Sequence, residues 1–369
     1  MLVLHVVATI LGAALVLSTL LSAIKTVILP RSAGSLVTRA VFLTTRRVAR
    51  LAVGRRGFEA RDRVLAYYAP VSLVLLPGVW VALVMIGFTG IFWGTDGGSL
   101  RDSFLLSGSS LLTLGTVFRS DLNHAVLTFA EATLGLGMVA LLISYLPSIY
   151  GAFSRREQLV GMLEVRAGIP PSPAELLVRY TRIGLLDQID AELLPQWEQW
   201  FMDIEESHTT LPALVFFRSP QPERSWITAA GCILDTAALM SSTIDKPHNA
   251  VEDLLIRSGF FALRRIADYF TIVYDPAPTA DDPIMVTRRE FDLVCVELEA
   301  AGVPLKPDRD RAWRDFTGWR VNYDTVLVQL AALVDAPPGR WSSDRGPVTP
   351  PKPKIWRVGR RRRAAPPSS

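Results

Sequence analysis

Three long apolar runs interrupted by charged stretches fill the first 150 positions, and shorter amphipathic periods fill the rest of the chain. Residues 2–24 are almost continuously apolar, about the 20 residues needed to cross a hydrocarbon core. No Lys or Arg precedes them, so the charged start of a secretory signal is missing and a retained transmembrane helix is expected. Residues 64–93 predict a second span, with Tyr67, Tyr68 and Trp93 at interfacial positions and Pro70 and Pro77 bending it. Residues 123–150 predict a third. Before it, residues 102–121 form a half-apolar segment too short to span, followed by a polar loop. That order predicts a re-entrant pore helix and loop feeding an inner helix.

Beyond position 153 the apolar residues recur with the period of an amphipathic helix. Helices are expected at 155–167, 173–188, 195–207, 224–244, 249–274, 288–301 and 311–334, each bounded by Pro, Gly or a polar cluster. The apolar stretch 227–240 is short and contains Asp235, which predicts a buried core helix in preference to a fourth span. No run alternates as a strand would. The fold class read from the pattern is all-α: a polytopic membrane protein with three transmembrane helices, a re-entrant element and a mainly helical cytoplasmic domain.

Charge orients this plan. Residues 25–63 carry ten Lys or Arg against Glu59 and Asp62, so the positive-inside rule places this loop in the cytoplasm and the N-terminus outside. Arg155 and Arg156 mark the return to the cytoplasm after the third span. The chain then divides into a first transmembrane helix (1–24), a basic cytoplasmic loop (25–63), a pore-like unit (64–153), a cytoplasmic helical domain (154–336) and a basic tail (337–369). The net charge of +4 comes from that tail, because nine Lys and Arg after position 336 face only Asp344. Its Pro, Ser, Gly and Arg composition predicts disorder. The Arg360–Arg363 cluster either lies against anionic lipid or is simply solvated. Cys232 and Cys295 are expected to be buried thiols, since a structural disulfide does not suit the cytoplasm.

Residues 113–121, TLGTVFRSD, resemble the pore signature of two-transmembrane potassium channels, threonine-leucine-threonine-threonine-valine-glycine-tyrosine-glycine-aspartate. Thr113, Leu114, Thr116, Val117 and Asp121 match, whereas Gly115, Phe118, Arg119 and Ser120 do not. The resemblance covers roughly residues 64–153 and includes the order span, pore helix, filter and inner helix. It implies an oligomeric pore, most simply a homotetramer, that passes monovalent cations between residues Thr113, Leu114, Gly115, Thr116, Val117 and Phe118. Arg119 and Asp121 would stand at its mouth.

A potassium filter replaces the ion's hydration shell with backbone carbonyls, and glycines permit the angles this requires. Both filter glycines are replaced here, and four copies of Arg119 near a mouth would repel cations. Sliding the register to align Gly115 with the first glycine sets Val117 against the second. The alternative reading is therefore a non-conducting membrane protein with channel-like topology that anchors signalling or scaffolding partners.

Other residues refine these two readings. Gly135 and Gly137 serve either as an inner-helix hinge or as close-packing positions, and Pro147 would bend the helix where a gate is expected. Glu131 is an ionisable group inside a span, which makes it a functional candidate unless it lies near enough to the interface to be hydrated.

Catalytic patterns are scarce. The glycine-rich stretch 135–140 has no preceding strand, so it does not fit a dinucleotide site. Glu205 and His208 share a helix face but have no second copy with which to hold two metals. His5, His124, His208 and His248 lack zinc spacing, and Trp197, Trp200 and Trp226 read as core. No enzyme, metal, cofactor or nucleic-acid function is expected. The partners expected are membrane lipid, cations and further copies of the chain, with the protein multi-pass in the inner (plasma) membrane.

Overall fold

The structure is a computed structural model that describes residues 2–27, 35–53, 58–119 and 121–345. These residues form helices and connecting turns, with one isolated backbone bridge between Ile244 and Leu305. The chain separates into two units, Met1–Ser154 with Thr210–Phe217, and Arg155–Thr209 with Arg218–Ser369.

Among the described residues, α1 (Leu2–Val27) and α3 (Phe58–Asp96) of the first unit and α5 (Leu122–Ala167), which begins in it, are the three helices long and apolar enough to cross a membrane. Their exposed apolar side chains, among them Ile10, Val74, Ile86, Phe129 and Ile143, suit a hydrocarbon surround. α1 packs along α3 through small residues: a Cβ on Gly12 would overlap the Gly87 carbonyl, and one on Gly90 would lie 3.2 Å from the Ala8 carbonyl. Close backbone approach of this kind replaces the hydrophobic drive that lipid removes. Polar pairs add to it, with Trp80 Nε1 donating to Ser22 Oγ at 3.1 Å and His5 Nδ1 lying 3.1 Å from the Trp93 carbonyl.

The basic stretch predicted as a loop contains a helix, α2 (Leu36–Val53). Its apolar residues recur on one face, and Arg39, Arg46, Arg47 and Arg50 interrupt the run enough to hide it from a hydropathy average. Thr45 and Ser72 hydroxyls meet at 2.6 Å to tie α2 to α3. α3 runs unbroken through Pro70 and Pro77. The segment Thr210–Phe217, remote in sequence, also belongs to this unit. Leu214 joins Leu73, Tyr145 and Ile149, and Phe216 lies between Arg46 and Tyr68, with ring centroids 5.7 Å apart in the aromatic pair.

The second unit is built around α8 (Trp226–Thr243), in which every residue except Ser241 is buried. The expected core helix is therefore present. Packed against α8 are α6 (Pro173–Arg182), α9 (Ala250–Tyr269), α11 (Arg309–Arg320) and α12 (Asp324–Val334). α7 (Leu194–Thr210), preceded by a π-helical turn at Ile189–Leu193, brings in Trp197, Trp200 and Phe201, and α10 (Arg288–Ala300) completes the set with a Thr287/Glu290 capping box. Cys232 and Cys295 are free and buried.

Asp235 reaches a buried cation, Arg320. The guanidinium donates to Asp235 Oδ1 and the Trp341 carbonyl at 2.5 Å and to Asp324 Oδ1 at 2.8 Å, and Tyr323 donates to Asp235 at 2.9 Å. This network explains two departures from the predicted plan. The single helix expected at 311–334 is broken at Val321–Tyr323, because the turn lets Arg320, Tyr323 and Asp324 converge on Asp235. The order expected to end before position 337 continues to Arg345, because Trp341 is buried and its carbonyl accepts a hydrogen bond from Arg320. The remaining tail, with its Arg360–Arg363 cluster, lies outside the described residues.

Candidate functional site

The segment between the second and third apolar helices is a 12-residue helix, α4 (Leu100–Leu111), and a loop. Ser99 starts α4 by accepting from the Asp102 amide at 3.0 Å, a side-chain N-cap. Ser103, Leu106, Ser107 and Leu111 are buried, and α4 packs on α3. At 1.5 Å per residue α4 is about 18 Å long, well short of the roughly 30 Å of a hydrocarbon core.

The loop folds back onto the helix that precedes it. The Leu112, Thr113 and Leu114 amides donate to the Gly108, Ser110 and Ser109 carbonyls at 3.1, 3.0 and 2.8 Å. Thr113 and Gly115 take left-handed φ angles of 54° and 67°, unstrained for the glycine and unusual for the threonine. Ser109 Oγ then clamps the far side, accepting from the Val117 amide at 2.9 Å and donating to the Val117 carbonyl at 3.1 Å. Thr116 Oγ1 donates to Ser109 Oγ at 3.4 Å. Thr113, Leu114, Gly115, Thr116, Val117 and Phe118 all lie exposed on the surface of the single chain.

Arg119 is not a bare cation at this end of the unit. It forms an ion pair with Asp96 at the end of α3. Asp121 caps α5, accepting from the His124 amide at 3.2 Å and meeting His124 Nδ1 at 2.5 Å. The hydrogen bond from His124 holds the Asp121 carboxyl below the usual carboxylate range. Ser120 lies outside the described residues.

No protein-family model, curated protein or solved structure matches this chain.

α5 carries the other predicted residues. A Cβ on Gly135 would overlap the carbonyl oxygen of Leu111 and lie 3.2 Å from that residue's Cδ1, so Gly135 is where α5 admits the end of α4. Gly137 meets nothing within 4 Å. Pro147 is exposed inside an uninterrupted helix. Glu131 is fully buried, with Oε1 2.5 Å from Ser107 Oγ on α4. The same hydroxyl lies 3.1 Å from the Met85 carbonyl.

The serines Ser107 and Ser109, and the Asp96 partner of Arg119, were not distinguishable from the sequence pattern. Their partners lie 24, 8 and 23 positions away, beyond any helical period. Among the described residues no three His, Cys, Asp or Glu side chains converge as a metal site would require.

Proposed function

We propose that the protein is a pore-loop membrane protein that passes monovalent cations through a symmetric oligomer, resembling the two-transmembrane channels in plan with a different filter. The carrying observation is that a helix too short to span ends in a loop clamped to it by Ser109, with residues 113–118 exposed between two spanning helices. One such unit encloses no pore, so a rotationally symmetric assembly is required, most simply a homotetramer. The Arg119–Asp96 ion pair favours conduction, because it offsets the charge that would otherwise repel cations at the mouth. In this reading the protein lies in the inner (plasma) membrane, the loop re-enters from the outside, and α2 and the second unit are cytoplasmic, an orientation that the basic residues of α2 support. The cytoplasmic domain biases open and closed states through the uninterrupted α5.

A second reading, a non-conducting anchor for signalling or scaffolding partners, is favoured by Phe118 and Ser120 standing in place of loop glycines. Purified protein in liposomes separates the two. A monovalent cation flux is expected, changed in rate or selectivity by Gly115→Leu, since a side chain at φ 67° deforms the loop. Correctly inserted oligomer with no flux under any ionic condition supports the anchor.

A further inference from the structure

His124, Thr128 and Glu131 follow one another at i, i+4 and i+7 on α5, one face of the helix. They extend over about 10 Å of its axis. All three are more than nine-tenths buried: 9% of His124, 8% of Thr128 and 0% of Glu131 is exposed. Each nevertheless carries a buried polar atom with no hydrogen-bond partner in the protein: His124 Nε2, Thr128 Oγ1 and Glu131 Oε2.

The Thr128 hydroxyl is informative by contrast. Thr19, Thr89, Thr95 and Thr133 in the same unit all donate to the carbonyl four residues earlier, the usual way a threonine is satisfied inside a span. Thr128 does not. Three unpartnered polar atoms in file along one buried face are costly unless something polar lies between them, and water is the ordinary occupant of such a site.

The file has an open end and a closed end. At the open end His124 Nδ1 meets Asp121, whose side chain is 57% exposed, and Asp96 Oδ1 lies 3.9 Å from His124 Nε2, with Arg119 paired to that same Asp96. At the closed end Glu131 faces Ser107 of α4 and the Met85 carbonyl of α3, and among the described residues no Lys or Arg pairs with it. The Phe92 ring, 6.1 Å from the His124 ring, packs against the entrance.

We infer that this face is a hydrated track that carries protons from the Asp121 end to Glu131, a proton-binding site inside the span. In the step, a hydronium ion in the track loses one O–H bond and becomes water, while Glu131 Oε2 gains the proton and the carboxylate becomes neutral. The reverse step restores the charge. Asp121, His124, Asp96 and Arg119 are the charged or titratable groups paired with one another at the track's open end. The inference rests on the single first unit and stands whether or not the oligomer conducts.

Infrared spectroscopy of the full-length protein in liposomes tests it. A carboxylic acid carbonyl band that grows as pH falls, is missing in Glu131→Gln and shifts within minutes of transfer to heavy water is expected. Thr128→Val removes the middle hydroxyl while keeping shape, and should slow that isotope shift about tenfold, as loss of one hydrogen-bonding relay implies. A wild-type band that keeps its position in heavy water for a day marks a sealed acid and overturns the track, as does an unchanged rate in Thr128→Val. A band that responds to sodium at fixed pH assigns the site to a metal cation and overturns the proton assignment.

Discussion

Replacing Gly135 and, separately, Gly137 with alanine asks which glycine of α5 the structure uses. Both substitutions add the same methyl and the same helix preference, about 1 kcal/mol in favour of alanine. At Gly137 the methyl enters open space. At Gly135 it overlaps the Leu111 carbonyl oxygen and lies 3.2 Å from Leu111 Cδ1, so backbone must move, by on the order of 1 Å to reach van der Waals separation. Overpacking of this kind costs about 1–3 kcal/mol, and because the helix gain is common to both variants their difference isolates that cost.

The strain falls on the last turn of α4, whose Leu112, Thr113 and Leu114 amides bond to the carbonyls of Gly108, Ser110 and Ser109. Hydrogen exchange read by mass spectrometry on peptides covering residues 104–118 reports it directly. Those amides should exchange about 5- to 150-fold faster in Gly135→Ala than in Gly137→Ala, the same energy expressed as an opening equilibrium. Equal protection in the two variants would refute the packing role, and selective loosening by Gly137→Ala would move the flexible point to that residue.

Two further outcomes concern the second unit. Arg320→Leu leaves Asp235 and Asp324 buried without their cation and should cost about 3–5 kcal/mol, whereas Asp235→Leu combined with Arg320→Leu should recover a large part of that loss, as denaturant titration followed by tryptophan fluorescence would show. Glu252 is fully buried beside Lys246 and Asp190, and burial pushes its carboxyl up to about 7. Between about 4.5 and 7 the unfolded chain has released the Glu252 proton while the folded chain retains it. Stability relative to Glu252→Gln should therefore fall as pH rises through that window, by at most about 3 kcal/mol.

The three long apolar helices were legible because hydropathy over twenty residues is a strong local signal. α4 was legible for the opposite reason, an apolar stretch too short to cross. α2 was lost because its arginines sit among its apolar residues, and the α11–α12 break was lost because the apolar spacing of Val321 and Tyr323 continues the helical period across the turn. Trp341 was read as tail because composition speaks only of averages, and one buried residue whose backbone carbonyl accepts from Arg320 outweighs its Pro- and Ser-rich neighbours. At the site, the candidate loop residues were legible as a pattern. Their fastening was not, since Ser109 to Val117, Arg119 to Asp96 and Glu131 to Ser107 are pairings that only the fold brings together.

The mass of the detergent-solubilised full-length protein, measured by native mass spectrometry, tests the proposed pore most directly. A species of four times the 40.7 kDa chain mass is expected, because a loop exposed on one chain can line a path only when several chains surround it. A monomer that persists across detergents and concentrations would contradict the pore.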